Sequence, residues 1–364
     1  RELELEEAGI IKLASNENPL GVSPLARRAI EEAIAGLSRY PDGQAGLICR
    51  RAVGRACVLG VDIGALTQRA YNGRGEGIAR SYVNAYEPSL DTLYAWLADF
   101  YVEGEPMPLL IDTAPPGKDV SIILTHDIDF TKAVASARRT ADALRADGVS
   151  GTFFIQTKYV RDFNDDVFFR KETLGDVKGV LANNMEIGSH SVAHAKSFKD
   201  FDFGTGAESY PDYRPFVQAR LRARGGSVLG ELRVSKFLLE HLAGAKVVSF
   251  RAGHLSNPFR LPEGLAATGY HNDSSVTANS SLTHLPFRLT VGRGDHTLAP
   301  AYEFPVTIED EAAPRLSERL DAANDLIGAI ARMHGLAVVL MHPDPAGETL
   351  AFERNLVARW RDRA

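Results

Sequence analysis

The chain has only two cysteines, Cys49 and Cys57, and their spacing is neither that of a metal-binding knuckle nor that of a redox pair. That excludes a disulfide-built scaffold and indicates no thiol nucleophile, so free thiols in a reducing compartment are expected. No apolar run is long enough to span a bilayer, and a membrane-spanning helix is therefore not expected. Basic residues do not cluster with interleaved aromatics, and a formal charge of -6 argues against a nucleic-acid partner. Arg1 opens a Glu-rich segment without the basic-then-apolar pattern of a secretory signal. A cytoplasmic location is the default expectation; because the sequence does not begin with Met, upstream processing or truncation stays open.

What is present is ordinary for a globular protein: 45% hydrophobic residues, enough for a substantial core, and 24% charged. A length of 364 residues suits one large domain with additions or two domains, at roughly 100 to 200 residues each. From Asp119 onward, strand-like runs at 121–125, 151–155, 185–188, 247–250, 302–307 and 337–340 alternate with helical stretches at 131–147, 227–242 and 314–333. Gly148 ends the first helix. The alternation predicts a parallel α/β fold whose length suits a barrel of about 250 residues, with function at the C-terminal ends of its strands. Upstream, 82–100 carries apolar residues at near-helical spacing and 112–118 has linker chemistry. The expected division is an N-terminal segment 1–43, an accessory, partly helical region 44–118, and a catalytic domain 119–364.

Chemistry concentrates where those strands end. Ser121-Ile122-Ile123-Leu124-Thr125 runs into His126-Asp127-Ile128-Asp129, and one intervening residue places the two carboxylates on the same face of an extended backbone. Two acids so close stay ionised only beside a cation, which makes a metal the first hypothesis and an Asp-rich turn the bland one. His190-Ser191-Val192-Ala193-His194 follows a second strand-like run. Two imidazoles and one carboxylate, with a fourth position left for water, form the ligand set of a catalytic zinc site. Arg251 and His254 follow a third run and His342 a fourth. A strand-end Arg is more often a surface partner, and a His beside Pro343 can simply end a strand; four strand ends carrying Asp/Asp, His/His, Arg and His are hard to assemble by chance.

With those residues in order, 119–342 resembles the polysaccharide deacetylase domain, the NodB-type fold of carbohydrate esterase family 4. The resemblance implies a distorted (β/α)7 TIM-like barrel and metal-dependent hydrolysis of N- or O-acetyl groups on a carbohydrate. It implies that Asp129, His190 and His194 hold the metal, that Asp127 is the general base and His342 the general acid, and that Arg251 orients Asp127 while Leu340 lines the acetyl pocket. Zinc is the first choice; cobalt, nickel or iron suits the same N/O ligands. The chemistry agrees: amide hydrolysis needs activated water, a polarised carbonyl and a protonated leaving nitrogen. The chain departs from the commoner pattern in the spaced Asp pair after His126, in Ala252 and Gly253 where Pro is frequent, in His254 where an aromatic stands, and in lacking a late Asp-x-x-x-Trp element. His254 and Asp273 are assigned to the substrate side, and Asp273 in Asp273-Ser274-Ser275 is a candidate to orient the acid, a plain Asx turn being the alternative. A non-sugar amide or cyclic ureide as substrate, or a non-catalytic sugar-binding relative, are the competing functions.

A second resemblance covers about a tenth of the chain. Ile11-Lys12-Leu13-Ala14-Ser15-Asn16-Glu17-Asn18-Pro19, a helix-like stretch, and Arg39-Tyr40-Pro41-Asp42-Gly43 are similar to the start of histidinol-phosphate aminotransferases. The resemblance places Asn18 near substrate and Tyr40 on the cofactor phosphate of a neighbouring subunit. No later stretch suits a pyridoxal-phosphate lysine, and without that lysine there is no Schiff base. No pyridoxal phosphate is expected, and the segment reads as a fusion, a gene-boundary artefact or a structural arm.

Overall fold

The computed structural model describes residues 47–50, 57–60, 71–73, 89–163, 166–219, 222–292 and 297–364. The aminotransferase-like stretch 10–43, with Asn18 and Tyr40, lies outside them. The chain forms two compact units, Arg1–Gln68 and Arg69–Ala364. In the first, β1 (Leu47–Arg50) pairs antiparallel with β2 (Cys57–Gly60), Cys49 opposite Val58.

The second unit is built on a nine-stranded sheet. Its strands are β3 (Ser121–Ile128), β4 (Thr152–Ile155), β5 (Glu186–Ser189), β8 (Ser249–Phe250), β9 (Asn272–Asp273), β10 (Phe287–Val291), β11 (Thr297–Glu303), β12 (Val306–Glu309) and β13 (Leu336–Met341), in the order β10-β11-β9-β8-β5-β4-β3-β13-β12. A separate hairpin joins β6 (Phe216–Ala219) to β7 (Arg222–Arg224). All neighbours in the large sheet are parallel except β10 and β11. β11 and β12 stand towards opposite ends of that order, yet only Phe304 and Pro305 separate them. The sheet must therefore curl until its edges meet, and the Val306 N–H does reach the Val276 carbonyl at 2.8 Å. With β11 and β12 as one broken stave, the barrel has the seven staves β3, β4, β5, β8, β9, β11/β12 and β13. The single strand expected over 302–307 is in fact the end of one strand and the start of the next. Proline lacks the N–H a ladder needs, so pairing stops at Pro305 and resumes on the other side.

Most staves are buried on both faces, which explains their apolar runs: every residue of β13 and the last five of β3 are buried, whereas β11 alternates buried and exposed residues. Helices pack outside: α1 (Ser89–Gly104), α2 (Val134–Ala146), α3 (Lys171–Ala182), α4 (Val228–Leu238), α5 (Leu261–Thr268), the short α6 (Ala278–Ser281), α7 (Leu320–Ala331) and α8 (Glu348–Trp360). Ser227 caps α4 by accepting from the Gly230 N–H at 3.1 Å, and a π turn, Leu239–Ala243, extends it to a left-handed Gly244. No described helix is long and apolar enough to cross a membrane.

Two buried carboxyls fasten the outlying helices. Asp91, in the first turn of α1, accepts from the His284 ring at 2.6 Å and its N–H at 3.1 Å, and also takes the Thr283 hydroxyl. Glu353 on α8 meets His126 Nε2 at 3.0 Å, both 1% exposed. Alternation along β3 explains that second contact: Thr125 and Asp127 turn into the barrel, whereas His126 turns outward, stacks on Phe153 at 4.3 Å and reaches α8. His126 is thus a fastening between helix and sheet. Replacing His126 by Ala leaves the Glu353 carboxyl buried without its partner. The expected loss is about 3–5 kcal/mol in urea unfolding; a loss below about 1 kcal/mol, typical of an exposed pair, would contradict it.

Candidate metal centre

Because the staves run parallel, their C-terminal ends share one rim, and five of them deliver polar side chains there. Asp127 and Asp129 come from the end of β3, His190 follows β5, Arg251 follows β8, Asp310 follows β12 and His342 follows β13. Asp127, Asp129, His190, His194, His254, Leu255, Glu311, Leu340 and His342 line one cleft. The two histidines reach it through a turn, not a helix: Ser191 (φ 65°) and His194 (φ 51°) are left-handed. Gly253 makes room for that turn, since a Cβ there would lie 2.4 Å from His194 Cδ2.

Asp129 Oδ1 is the focus. It lies 3.1 Å from His190 Nε2 and 3.2 Å from His194 Nε2, and the three ligand atoms fall within 4.8 Å of one another. His190 Nδ1 is 2.9 Å from the Arg251 carbonyl, a contact that needs the ring proton on Nδ1 and turns the Nε2 lone pair of a neutral ring toward Asp129. Asp129 Oδ1 and His194 Nε2 are buried and have no hydrogen-bond partner. Lone pairs held this close repel unless a proton or a cation lies between them. Zinc ligands about 2.05 Å from the ion in a tetrahedron sit about 3.3 Å apart, so the spacing suits a divalent cation, and Asp129, His190 and His194 could hold one.

Flanking pairs complete the cleft. Arg251 Nη1 donates to Asp127 Oδ1 and Thr125 Oγ1, both at 2.8 Å, while Nε and Nη2 donate to Ser274 O (2.9 Å) and Oγ (2.7 Å). Burial would raise Asp127, but Arg251, then His190 and His342, hold its carboxyl below the ordinary carboxylate range. Asp129 lies well below that range: burial is outweighed by the His194 charge and by the close approach of the His190, His194 and His342 rings, an attraction that a bound cation would supply in place of ring protons. On the other side, His342 Nδ1 is 2.7 Å from Asp310 Oδ1, its N–H donates to Asp310 Oδ2 at 2.6 Å, and its Nε2 is 3.4 Å from Asp129 Oδ2. Burial would lower His342, but Asp129 and Asp310 raise it well above the ordinary imidazole range.

Asp127, Asp129, His190, His194, His254, Leu340 and His342 are therefore brought together, and Arg251 stands behind Asp127. Asp273 is not among them. The carboxyl on His342 is Asp310, which the sequence reading missed although Glu309-Asp310 ends a strand-like run as the other sites do. Asp273 is 1% exposed, accepts the Ser275 hydroxyl at 2.6 Å and shares a buried contact with Glu303. Its place is inside the barrel, lining a separate cavity of about 90 Å³ with Glu186 and Phe304, so it neither orients the acid nor faces the cleft.

No family model matches the chain. Among solved structures, the chain is similar to the putative polysaccharide deacetylase from Mycobacterium smegmatis, at 18% identity and a TM-score of 0.50 over 70% of this chain and 88% of that one; the two share a fold. The N-terminal region matches histidinol-phosphate aminotransferase 2 from two Pseudomonas fluorescens strains. One is 42% identical over 96 residues, 26% of this chain and 24% of that protein; the other is 67% identical over 43 residues, 12% of each. The chain spans a quarter or less of these curated relatives.

The Asp273–Glu303 pair yields a pH effect. Burial pushes Asp273 up to about 6, and burial followed by the Asp273 charge pushes Glu303 well above the ordinary carboxylate value. Asp273 Oδ2 and Glu303 Oε2 have no other donor, and one proton shared between the carboxyls satisfies both. Raised acids favour the folded state only while protonated, so this contribution is fully present below the unfolded values and is lost as pH rises through the folded ones. Glu303→Gln supplies the donor permanently. Its stability relative to wild type is expected to improve as pH rises from about 5 to about 8; a difference in unfolding midpoint that stays flat with pH would refute the shared proton.

Proposed function

We propose that the protein is a metal-dependent hydrolase that removes acetyl groups, N-linked or O-linked, from a carbohydrate. The observation that carries this reading is Asp129, His190 and His194 converging with unpartnered buried atoms, between an Arg-held carboxylate and a carboxylate-held imidazole. The fold shared with a putative polysaccharide deacetylase supports the choice of substrate. Asp129, His190 and His194 are the proposed ligands, with zinc first and Co2+, Ni2+ or Fe2+ as alternatives. A bound divalent cation would supply Lewis acidity, polarising the acyl carbonyl and making water a better nucleophile near neutral pH.

The remaining steps belong to the chain. Arg251 keeps Asp127 ionised and occupies Oδ1, which leaves Oδ2 to take a proton from the attacking water. The water oxygen bonds to the acyl carbon, the carbon–nitrogen bond of an N-acetyl group breaks, and His342 Nε2 gives its proton to the departing nitrogen. Asp310 holds Nδ1 of that ring and favours the protonated form the step consumes. The proton on Asp127 restores His342, and acetic acid and an amine leave, the acid passing its proton to the amine or to solvent. Leu340 and Leu255 line the cleft with the apolar surface an acetyl methyl needs, and His254, its ring 4.4 Å from His194, borders the sugar side.

The test is acetate release from acetylated amino sugars and glycans, with metal content measured alongside. Chelation abolishes release and added zinc or cobalt restores it. Asp127→Asn and His342→Ala each lower kcat by about 10²–10⁴-fold with metal content intact, whereas Asp129→Asn loses the metal. Activity that survives both the chelator and Asp127→Asn overturns the mechanism.

A further inference from the structure

The His190–His194 turn is held by a side chain from elsewhere in the fold. A turn with two left-handed non-glycine residues persists only if its surroundings over-determine it. Here the surroundings are Glu231, in the first turn of α4 and 1% exposed. Its Oε2 accepts the N–H groups of Val192 at 2.7 Å and Ala193 at 2.8 Å, two of the three residues between the histidines. Its Oε1 accepts the Tyr213 hydroxyl at 2.8 Å, and the Ser227 N–H donates to that hydroxyl at 3.1 Å. Gly230 leaves space for the tyrosine, since a Cβ there would lie 2.1 Å from its ring.

Such a carboxyl is ill suited to a bland packing role. A buried acid is costly, and a loop that only had to be covered would be served by an apolar side chain. A carboxylate is acceptor-only, with two oxygens that can take three donors at once, so it can grip two consecutive backbone N–H groups and itself be fixed by a third. The grip falls on the part of the chain that sets the separation and aim of the two imidazoles. Ser191 Oγ accepts the His194 N–H at 3.1 Å, and the same side chain also meets Glu231.

We propose that Glu231 is a positioning residue that fixes His190 and His194 in ligating geometry and so sets how tightly the centre holds its cation. This rests on the reading of Asp129, His190 and His194 as ligands. It adds a residue from a helix that carries no ligand. Partners behind metal ligands of this kind change affinity by about 10- to 100-fold when removed.

The experiment uses the whole chain, stripped with chelator and titrated with Zn2+ against a chromophoric competitor, with the visible spectrum of the Co2+ form as a second readout. Circular dichroism and thermal unfolding of the same samples report the fold. Glu231→Ala is expected to weaken Zn2+ by about 10- to 100-fold and to alter the Co2+ bands. Glu231→Gln is expected to lose less, because its amide oxygen still accepts the two N–H groups, and Tyr213→Phe least. A folded Glu231→Ala protein with wild-type Zn2+ affinity and Co2+ spectrum overturns the proposal. Should that variant not fold, wild-type affinity in both Glu231→Gln and Tyr213→Phe overturns it. A wild-type chain that takes up no cation overturns the metal reading, and this inference with it; a wild-type chain that binds while the variants bind equally overturns this inference alone.

Discussion

One buried guanidinium organises the mouth of the barrel. Arg251 is fully buried, and its side chain reaches Thr125 and Asp127 on β3 and Ser274 just past β9 while lying 4.4 Å over the Phe154 ring of β4. Its backbone joins β5, its N–H donating to Ser189 O and its carbonyl meeting the His190 ring. The proposed base and one proposed ligand are therefore aimed by the same residue, one through its side chain and the other through its carbonyl. Lysine offers a point charge without the planar fork and does not duplicate that set of contacts.

Much of this centre was legible in the sequence, for a local reason. In parallel strands the functional side chain sits at the strand end, so Asp127, Asp129, His190, Arg251 and His342 each follow a strand-like run that announces them. Period-two alternation also places Asp127 and Asp129 on one face. The unread residues work across long separations. Nothing around Asp310 says that it will meet His342, 32 residues on, nor that Glu231 will brace a turn 38 and 39 residues before it. Strands of two residues, β8 and β9, are too short to show a period, and so Asp273 is expected on the substrate side as a candidate to orient the acid, whereas it is the end of a stave. The broken stave at Pro305 carries its own signal, since a proline inside a strand-like run marks the place where the ladder stops.

Apart from the contacts around Asp129, three histidine–carboxyl pairs among the described residues are as close as 3.0 Å or less: His126 with Glu353, His284 with Asp91, and His342 with Asp310. Their contact distances are alike, and exposure separates their uses. The first two are at most 1% exposed on both sides; one joins α8 to the sheet and the other joins α1 to the loop before β10. His342 is 28% exposed and lines the cleft. A proton donor must reach its acceptor, so only the third pair is placed for chemistry, and pair geometry in the absence of access is no guide to function.

The strand order also constrains when such a centre exists during synthesis. β13 lies between β12 and β3, and Thr125 on the first stave bonds to Val339 on the last across 214 residues. A ribosome delivers β3 long before its neighbour, so the early staves wait with an open flank and the barrel has no closed form until its final strand emerges. His342, at the tip of that strand, is the last side chain of the cleft to be made. A nascent chain can carry both carboxylates and both proposed ligand imidazoles and still lack the proposed proton donor, so the cleft is complete only once the barrel itself closes.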